Sequence, residues 1–393
     1  MANTANSVCD VRKRTGESKS QVQSIENKHN NQFVVSYKNQ FYNIKDFLRY
    51  HPGGAKILNF FKNRSLDKAF EENPHSEAAF HLLQDFILNN QEKYQKYEVI
   101  KQINKDTFLL KNAINYHNIL GLDDEKFKNR NISVVIFARY SKFSKLAKKD
   151  HKNLIDWNQA ILGQVGSLGQ HYSEWVNLPV NKDIKLFKSN ILESLTITPW
   201  YMIPIIWIPV CLYFLYCGWT HISTDNIEST VFEVLISYIF GILLWTLLEY
   251  VLHREIFHYK PPINSRLLIT LHFLLHGIHH KAPFDNRRLV FPILPAALTA
   301  KVLLMIYSMV FPQTTLYFIV AGTLTGYIFY DLTHYYLHHG APKVGTYMYL
   351  MKRNHNYHHF LHHDLGFGIS SKLWDYMFRT NICLRKLVKP IEW

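Results

Sequence analysis

The chain has 393 residues, a formal net charge of +14, 48% hydrophobic residues and four cysteines. Its mean hydropathy of −0.13 would suit a soluble enzyme, yet residues 1–190 are polar and rich in Lys and Asn while 197–330 hold long apolar runs. Cys9, Cys211, Cys217 and Cys383 have no metal-ligand spacing, which excludes a disulfide scaffold and a zinc finger.

Residues 1–30 form a polar tail without the apolar core of a secretory signal, so the N-terminus is expected to stay on the side where it is made. From 31 to 103 the pattern is globular. Phe33–Tyr37 is β-prone, Lys38-Asn39-Gln40 suits a turn, and Phe41-Tyr42 begins a second short strand. Asn43 is a candidate N-cap for a helix with Ile44, Phe47 and Leu48 on one face, ended by His51-Pro52-Gly53-Gly54. Ser76–Leu88 is expected to be amphipathic, with Ala79, Phe80, Leu83 and Phe86 on one side. Residues 104–153 read as a Lys- and Asn-rich linker, and 154–393 as a second domain.

That second domain has apolar segments at about 197–218, 231–252, 289–311 and 315–330. The first two are long enough, at ~1.5 Å per residue, to cross a ~30 Å hydrocarbon layer. The last is short, so the second pair is expected to be a hairpin, spanning or re-entrant. Glu233, Glu249 and Lys301 interrupt the runs, which leaves buried helices of a soluble domain as the alternative. Length and scarcity of charge favour the membrane.

If both helix pairs return to their side of entry, segments 252–288 and 331–393 share one face. They hold six and eight Lys/Arg, whereas Trp219–Thr230 and Pro312–Thr314 hold none. The positive-inside rule makes the shared face cytoplasmic. These segments supply +8 of the +14, so the charge reads as orientation and nucleic acid is not an expected partner.

Histidine is the outlier: 14 of the 22 lie between His253 and His363. The motifs are His253-x4-His258, His276-x2-His279-His280, His334-x3-His338 and His355-x2-His358-His359. Spacings of three and four place imidazoles along one helix face, so each of the last three clusters is able to aim several nitrogens at one locus. His253 and His258, five apart, would diverge on a regular helix; they serve two metals, or one if the helix distorts there. Ten imidazoles exceed one four-ligand structural zinc and suit a dinuclear catalytic centre of Fe, Cu or Zn. His272, His339, His362 and His363 do not fit the spacing and are assigned supporting or surface roles. In the polar half, His51 and His75 form a pair able to grip a haem iron from both sides, while His81 is expected at the surface.

With its short strands and this histidine pair, the stretch 31–103 resembles cytochrome b5. The resemblance implies haem b with His51 and His75 as axial ligands, hence an electron carrier without an open site for O2. Residues 154–380 resemble the fatty acid hydroxylase superfamily, through the histidine clusters and through Asp156-Trp157-Asn158, Gln164-Val165-Gly166, Glu174-Trp175-Val176, Trp200-Tyr201, Leu252-His253-Arg254, His276-Gly277, Tyr330-Asp331-x2-His334-Tyr335 and Gly366-Phe367-Gly368. The fused haem domain narrows the resemblance to fatty acid 2-hydroxylases. His362-His363 and the Arg of Phe378-Arg379-Thr380 depart from that pattern and touch no proposed ligand.

The implied fold is a small α+β haem domain followed by an all-α membrane domain. The latter has about four transmembrane or re-entrant helices and a cytoplasmic histidine-rich cap. The implied metal ligands are His253, His258, His276, His279, His280, His334, His338, His355, His358 and His359. Iron is the expected working metal, with zinc an alternative occupant. The implied activity is O2-dependent 2-hydroxylation of long-chain fatty acyl groups, free or in ceramide, at the endoplasmic reticulum membrane. Electrons would come from an NADH- or NADPH-dependent reductase through the haem. The alternatives are a cytochrome b5-fused desaturase, whose last cluster usually opens with Gln where this chain has His355; a sterol oxidase; and a non-catalytic electron carrier with structural zinc.

Overall fold

A computed structural model describes residues 32–73, 75–89, 154–224, 231–384, 390–391 and 393. The expected tail 1–30 and linker 104–153 lie outside the described residues. Contacts divide the chain into two units, Met1–His75 with Phe86–His117 and Ser76–Asp85 with Asn118–Trp393.

In the first unit, β1 (Val34–Tyr37) and β2 (Gln40–Asn43) pair antiparallel, with Val35 opposite Tyr42. Lys38 and Asn39 both take positive φ, the geometry that matches a two-residue turn to the strand twist. Asn43 does bond Lys45 N, at 3.3 Å, but also accepts from Phe33 N at 3.0 Å. The expected helix is accordingly a tight six-residue 3-10 segment, Lys45–Tyr50, stopped by the turn at Pro52. Helices α1 (Ala55–Asn59) and α2 (Asp67–Glu72) follow.

The second unit includes α3 (Glu77–Leu83), capped by the Ser76 hydroxyl, which accepts from Ala79 N at 3.4 Å. Its buried stripe runs through Ala78, Leu82 and Leu83, with Ala79 and Phe80 half-buried, so the expected face is turned by one residue. His81 is half-buried rather than exposed, its Nδ1 3.3 Å from the Pro179 carbonyl.

Among the described residues four helices are long and apolar enough to cross a membrane: α4 (Met202–Thr224), α5 (Val231–Val251, continued helically to Phe257), α8 (Ile293–Val310) and α9 (Gln313–His339). The first begins later than expected because Thr198 N bonds the Arg287 carbonyl and Pro199 follows, which keeps 197–201 out of the helix. The third starts only after Pro292. The last is 27 residues where 16 were expected. It is the central helix, mostly buried, while the other three turn apolar side chains outward. A helix enclosed by its neighbours needs no apolar surface for lipid, so Thr323, Asp331 and the histidines sit within it. Close packing sets its position: a Cβ on Gly322 would lie 2.0 Å from the Tyr238 carbonyl, and one on Gly241 2.2 Å from the Ile319 carbonyl. Helix α5 therefore crosses α9 backbone to backbone.

The rest of the domain sits at one end of this bundle: α6 (Arg266–His272), α7 (Ile278–Lys281), α10 (Tyr347–Phe360) and α11 (Leu373–Met377). A separate core around Ile161, Val165, Tyr172 and Trp175 packs on Ile269 and Phe273.

Candidate metal centre

Each histidine cluster is carried by a helix end. His253 and His258 lie where α5 changes to a π-turn, Leu252–Phe257. The His258 N–H bonds the His253 carbonyl at 3.1 Å, a five-residue turn in place of four. A second π-turn, Phe273–Gly277, joins α6 to α7 and carries His276, with His279 and His280 following on α7. Helix α9 presents His334 and His338 in its last turns, and α10 presents His355, His358 and His359.

The ten imidazoles separate into two groups of five. His253, His258, His276, His280 and His358 form group one; His279, His334, His338, His355 and His359 form group two; within each, one nitrogen per residue lies within 4.8 Å of all the others. The π-turn decides the alternative left open for His253 and His258: both belong to group one. The expectation that each of the other clusters aims at one locus holds for His334 and His338, both in group two, and is corrected for the two three-histidine clusters. Residues four apart stay together, as His276 with His280 and His355 with His359, but His279 and His358 cross to the opposite group. Adjacent histidines on a helix diverge by about 100°, so a His-x2-His-His run reaches two loci.

Closest approaches run between Nε2 atoms: 3.2 Å for His253 to His276, 3.1 Å for His276 to His280, 3.0 Å for His279 to His334 and 2.7 Å for His338 to His355. Ligands on metal bonds of about 2.1 Å, 90–110° apart, would be separated by roughly 2.9–3.4 Å. Two of these histidines have their tautomer set: His253 Nδ1 donates to the Phe367 carbonyl at 2.6 Å and His358 Nδ1 to the Leu365 carbonyl at 2.7 Å, leaving Nε2 as a lone pair. His258 Nε2, His358 Nε2 and both ring nitrogens of His359 are buried without a hydrogen-bond partner. Buried lone pairs converging on a point fit a cation. Burial first, then repulsion from neighbouring imidazoles, holds His258, His276, His279, His280, His355, His358 and His359 well below the ordinary value of 6.5. They are neutral at pH 7, the state that ligates. Among the described residues no carboxylate joins either group, so the full charge of bound ions would remain for exogenous oxygen ligands.

Group one borders a cavity among the described residues. A cavity of about 90 Å³ is lined by His258, His276 and His280 together with Tyr172, Phe257 and Ile263, and no group-two residue reaches it.

In the haem domain the rings of His51 and His75 stack with centroids 6.3 Å apart and planes 26° from parallel. Two imidazoles bound at about 2 Å on opposite sides of one iron would have ring centres roughly 6 Å apart. Each Nδ1 faces a backbone carbonyl, Gly54 at 3.3 Å and Asn73 at 2.7 Å, so the Nε2 atoms are free to ligate. Gly53 makes room, since a Cβ there would meet the His51 ring at 2.8 Å. Burial, then His75, pulls His51 down to about 4, so it too is neutral.

The sequence model described as Fatty acid hydroxylase matches residues 238–380, and that described as Cytochrome b5-like Heme/Steroid binding domain matches 18–100. Fatty acid 2-hydroxylase of Rattus norvegicus is 37% identical over 355 residues, covering 87% of this chain and 89% of the relative. The chain belongs to the fatty acid 2-hydroxylases. A dihydroceramide fatty acyl 2-hydroxylase of Arabidopsis thaliana is 42% identical over 58% of the chain and 92% of the relative. A solved structure titled full length scs7p, with only the hydroxylase domain visible, is 32% identical with a TM-score of 0.51, covering 61% of this chain and 89% of that one.

As a fatty acid 2-hydroxylase the chain is a membrane enzyme, its cytochrome b5 domain implies haem, and its histidine-rich domain suggests metal binding. The four histidines set aside from the sequence stay outside both groups: His272 Nδ1 pairs with the Tyr172 hydroxyl at 2.5 Å, His339 lies against Tyr335, His362 lies against Tyr357, and His363 faces the His280 ring. Sequence reading missed the carbonyls of Leu365 and Phe367 as the partners that orient two ligands. The Gly366-Phe367-Gly368 run was their signal, because Gly366 has φ +72° and a Cβ on Gly368 would lie 2.0 Å from the Ser371 carbonyl.

Proposed function

We propose that this enzyme inserts one atom of O2 at C2 of a long-chain fatty acyl group, free or in ceramide. The C–H bond becomes C–OH, the second oxygen atom leaves as water, and two electrons and two protons are consumed. The observation that carries this is the pair of five-imidazole groups at the end of the membrane helices. Two metal ions held there, iron in the working enzyme and zinc as an alternative occupant, would supply O2 activation.

The protein's own contributions follow from the geometry. The ten histidines would hold the ions as neutral donors, and group two, fully buried, is shielded from solvent. The cavity over His258, His276 and His280 is the place for the reacting end of the acyl group, with Phe257 and Ile263 against its apolar part. His51 and His75 would hold a haem b, which would supply one-electron transfer from an NADH- or NADPH-dependent reductase. The excess of basic residues in 252–288 and 331–393 supports a cytoplasmic face for the histidine end, and kinship with the fatty acid 2-hydroxylases supports the endoplasmic reticulum membrane.

Expression in a host lacking 2-hydroxy lipids, followed by mass spectrometry of its fatty acids and ceramides, tests this reading. Appearance of 2-hydroxy acids or 2-hydroxy ceramides is expected. New double bonds would point to a desaturase, and an unchanged lipid profile to an electron carrier.

A further inference from the structure

The segment that orients His253 and His358 is itself held by two buried carboxylates outside the ten histidines. Glu249 and Asp375 are 3% and 1% exposed. Five successive backbone N–H groups of the loop are bound. Gly366 N bonds the Thr380 carbonyl at 2.8 Å, Phe367 N and Gly368 N bond Asp375 Oδ1 and Oδ2 at 3.0 and 2.9 Å, and Ile369 N and Ser370 N bond Glu249 Oε1 at 3.0 and 2.7 Å. The Ser370 hydroxyl donates to Glu249 Oε2 at 2.6 Å, and the Thr380 hydroxyl to Asp375 Oδ1 at 2.8 Å. With its N–H groups fixed on one side, the loop points the Leu365 and Phe367 carbonyls at the two imidazoles. Glu249 also precedes His253 by one helical turn, so carboxylate and ligand share a helix face.

We infer that Glu249 and Asp375 are positioning residues for group one alone: they clamp the 365–370 loop so that its Leu365 and Phe367 carbonyls fix the rings of His358 and His253. This rests on the reading of the histidine groups as metal sites. No ligand of group two bonds this loop in the interactions the structure gives. The clamp therefore makes one site depend on two carboxylates that touch neither metal position.

The two carboxylates differ in what an amide would do. Glu249→Gln keeps one oxygen for both N–H groups and turns its NH2 to the Ser370 oxygen, which is able to accept. Asp375→Asn has donors on both sides and must leave at least one loop N–H facing an NH2 group.

The test is the metal content of the purified full-length protein, with the haem spectrum as a check on folding. Wild type and Glu249→Gln are expected to hold two metals per chain, and Glu249→Leu and Asp375→Asn one. Ser370→Ala removes a single donor to the clamp and should leave the fold intact. It is expected to weaken one metal about 10–100-fold in a chelator competition and leave the other unchanged. The inference is overturned if Glu249→Leu and Asp375→Asn keep both metals at wild-type affinity, if both metals are lost together, or if Glu249→Gln behaves like Glu249→Leu. A wild type holding fewer than two metals would instead overturn the reading on which it rests.

Discussion

His258 is bonded through its N–H to the carbonyl of His253, five residues earlier, at 3.1 Å, and both imidazoles enter the same group of five. On a regular helix they would point about 140° apart. The single extra residue in the turn is what completes group one.

Inserting an alanine after Glu255 would turn His258 away by about another 100°. The purified protein is expected to fall from two metals to one with an unchanged haem spectrum, read by elemental analysis alongside absorbance. Retention of both metals would contradict the role given to the π-turn.

The residues proposed to hold the haem and those proposed to hold the metals are distinct, so the two centres should be separable. His51→Ala is expected to abolish the haem absorbance while both metals remain, and to lower 2-hydroxy lipid in cells for want of electrons. Haem retained at wild-type level would remove His51 as an axial ligand.

The crossing of α5 and α9 tolerates no side chain. Gly322→Ala places a methyl 2.0 Å from the Tyr238 carbonyl, and overpacking of this kind costs about 1–3 kcal/mol or more. A lowered thermal midpoint in detergent is expected, and an unchanged midpoint would show that the helices separate freely.

Buried histidines held below 6.5 also fix the direction of a pH effect. Below that value the unfolded chain takes up protons that the folded imidazoles refuse, so their contribution is present above 6.5 and is lost as pH falls through it. Metal-free protein should therefore melt at lower temperature at about pH 5.5 than at about pH 7.5. A metal-free midpoint that rises on acidification would contradict neutral buried imidazoles.

Much of the site was legible because chemistry leaves a dense record in a sequence: ten histidines at helical spacings, and His51 and His75 among short strands and turns. What was illegible depends on backbone detail. The split of His279 from His276 and His280 follows from the 100° step between neighbours, but the π-turn that rescues His258 has no marker in residues 252–257. Glu249 was visible only as a charge interrupting an apolar run. Its meaning comes from Ile369 and Ser370, 120 and 121 residues away. Helix α9 looked too short because hydropathy reports contact with lipid, and this helix is surrounded by protein. Its polar C-terminal turns carry His334 and His338.

Membranes from a host that makes no 2-hydroxy lipid, expressing either the wild type or His355→Ala, offer the most direct test of the central claim when supplied with isotopically heavy O2. The wild type is expected to place one heavy oxygen at C2 of the acyl chain, and His355→Ala to place none while keeping its haem spectrum. Label at another carbon, label drawn from water, or an active His355→Ala enzyme would contradict the assignment of 2-hydroxylation to the histidine centre.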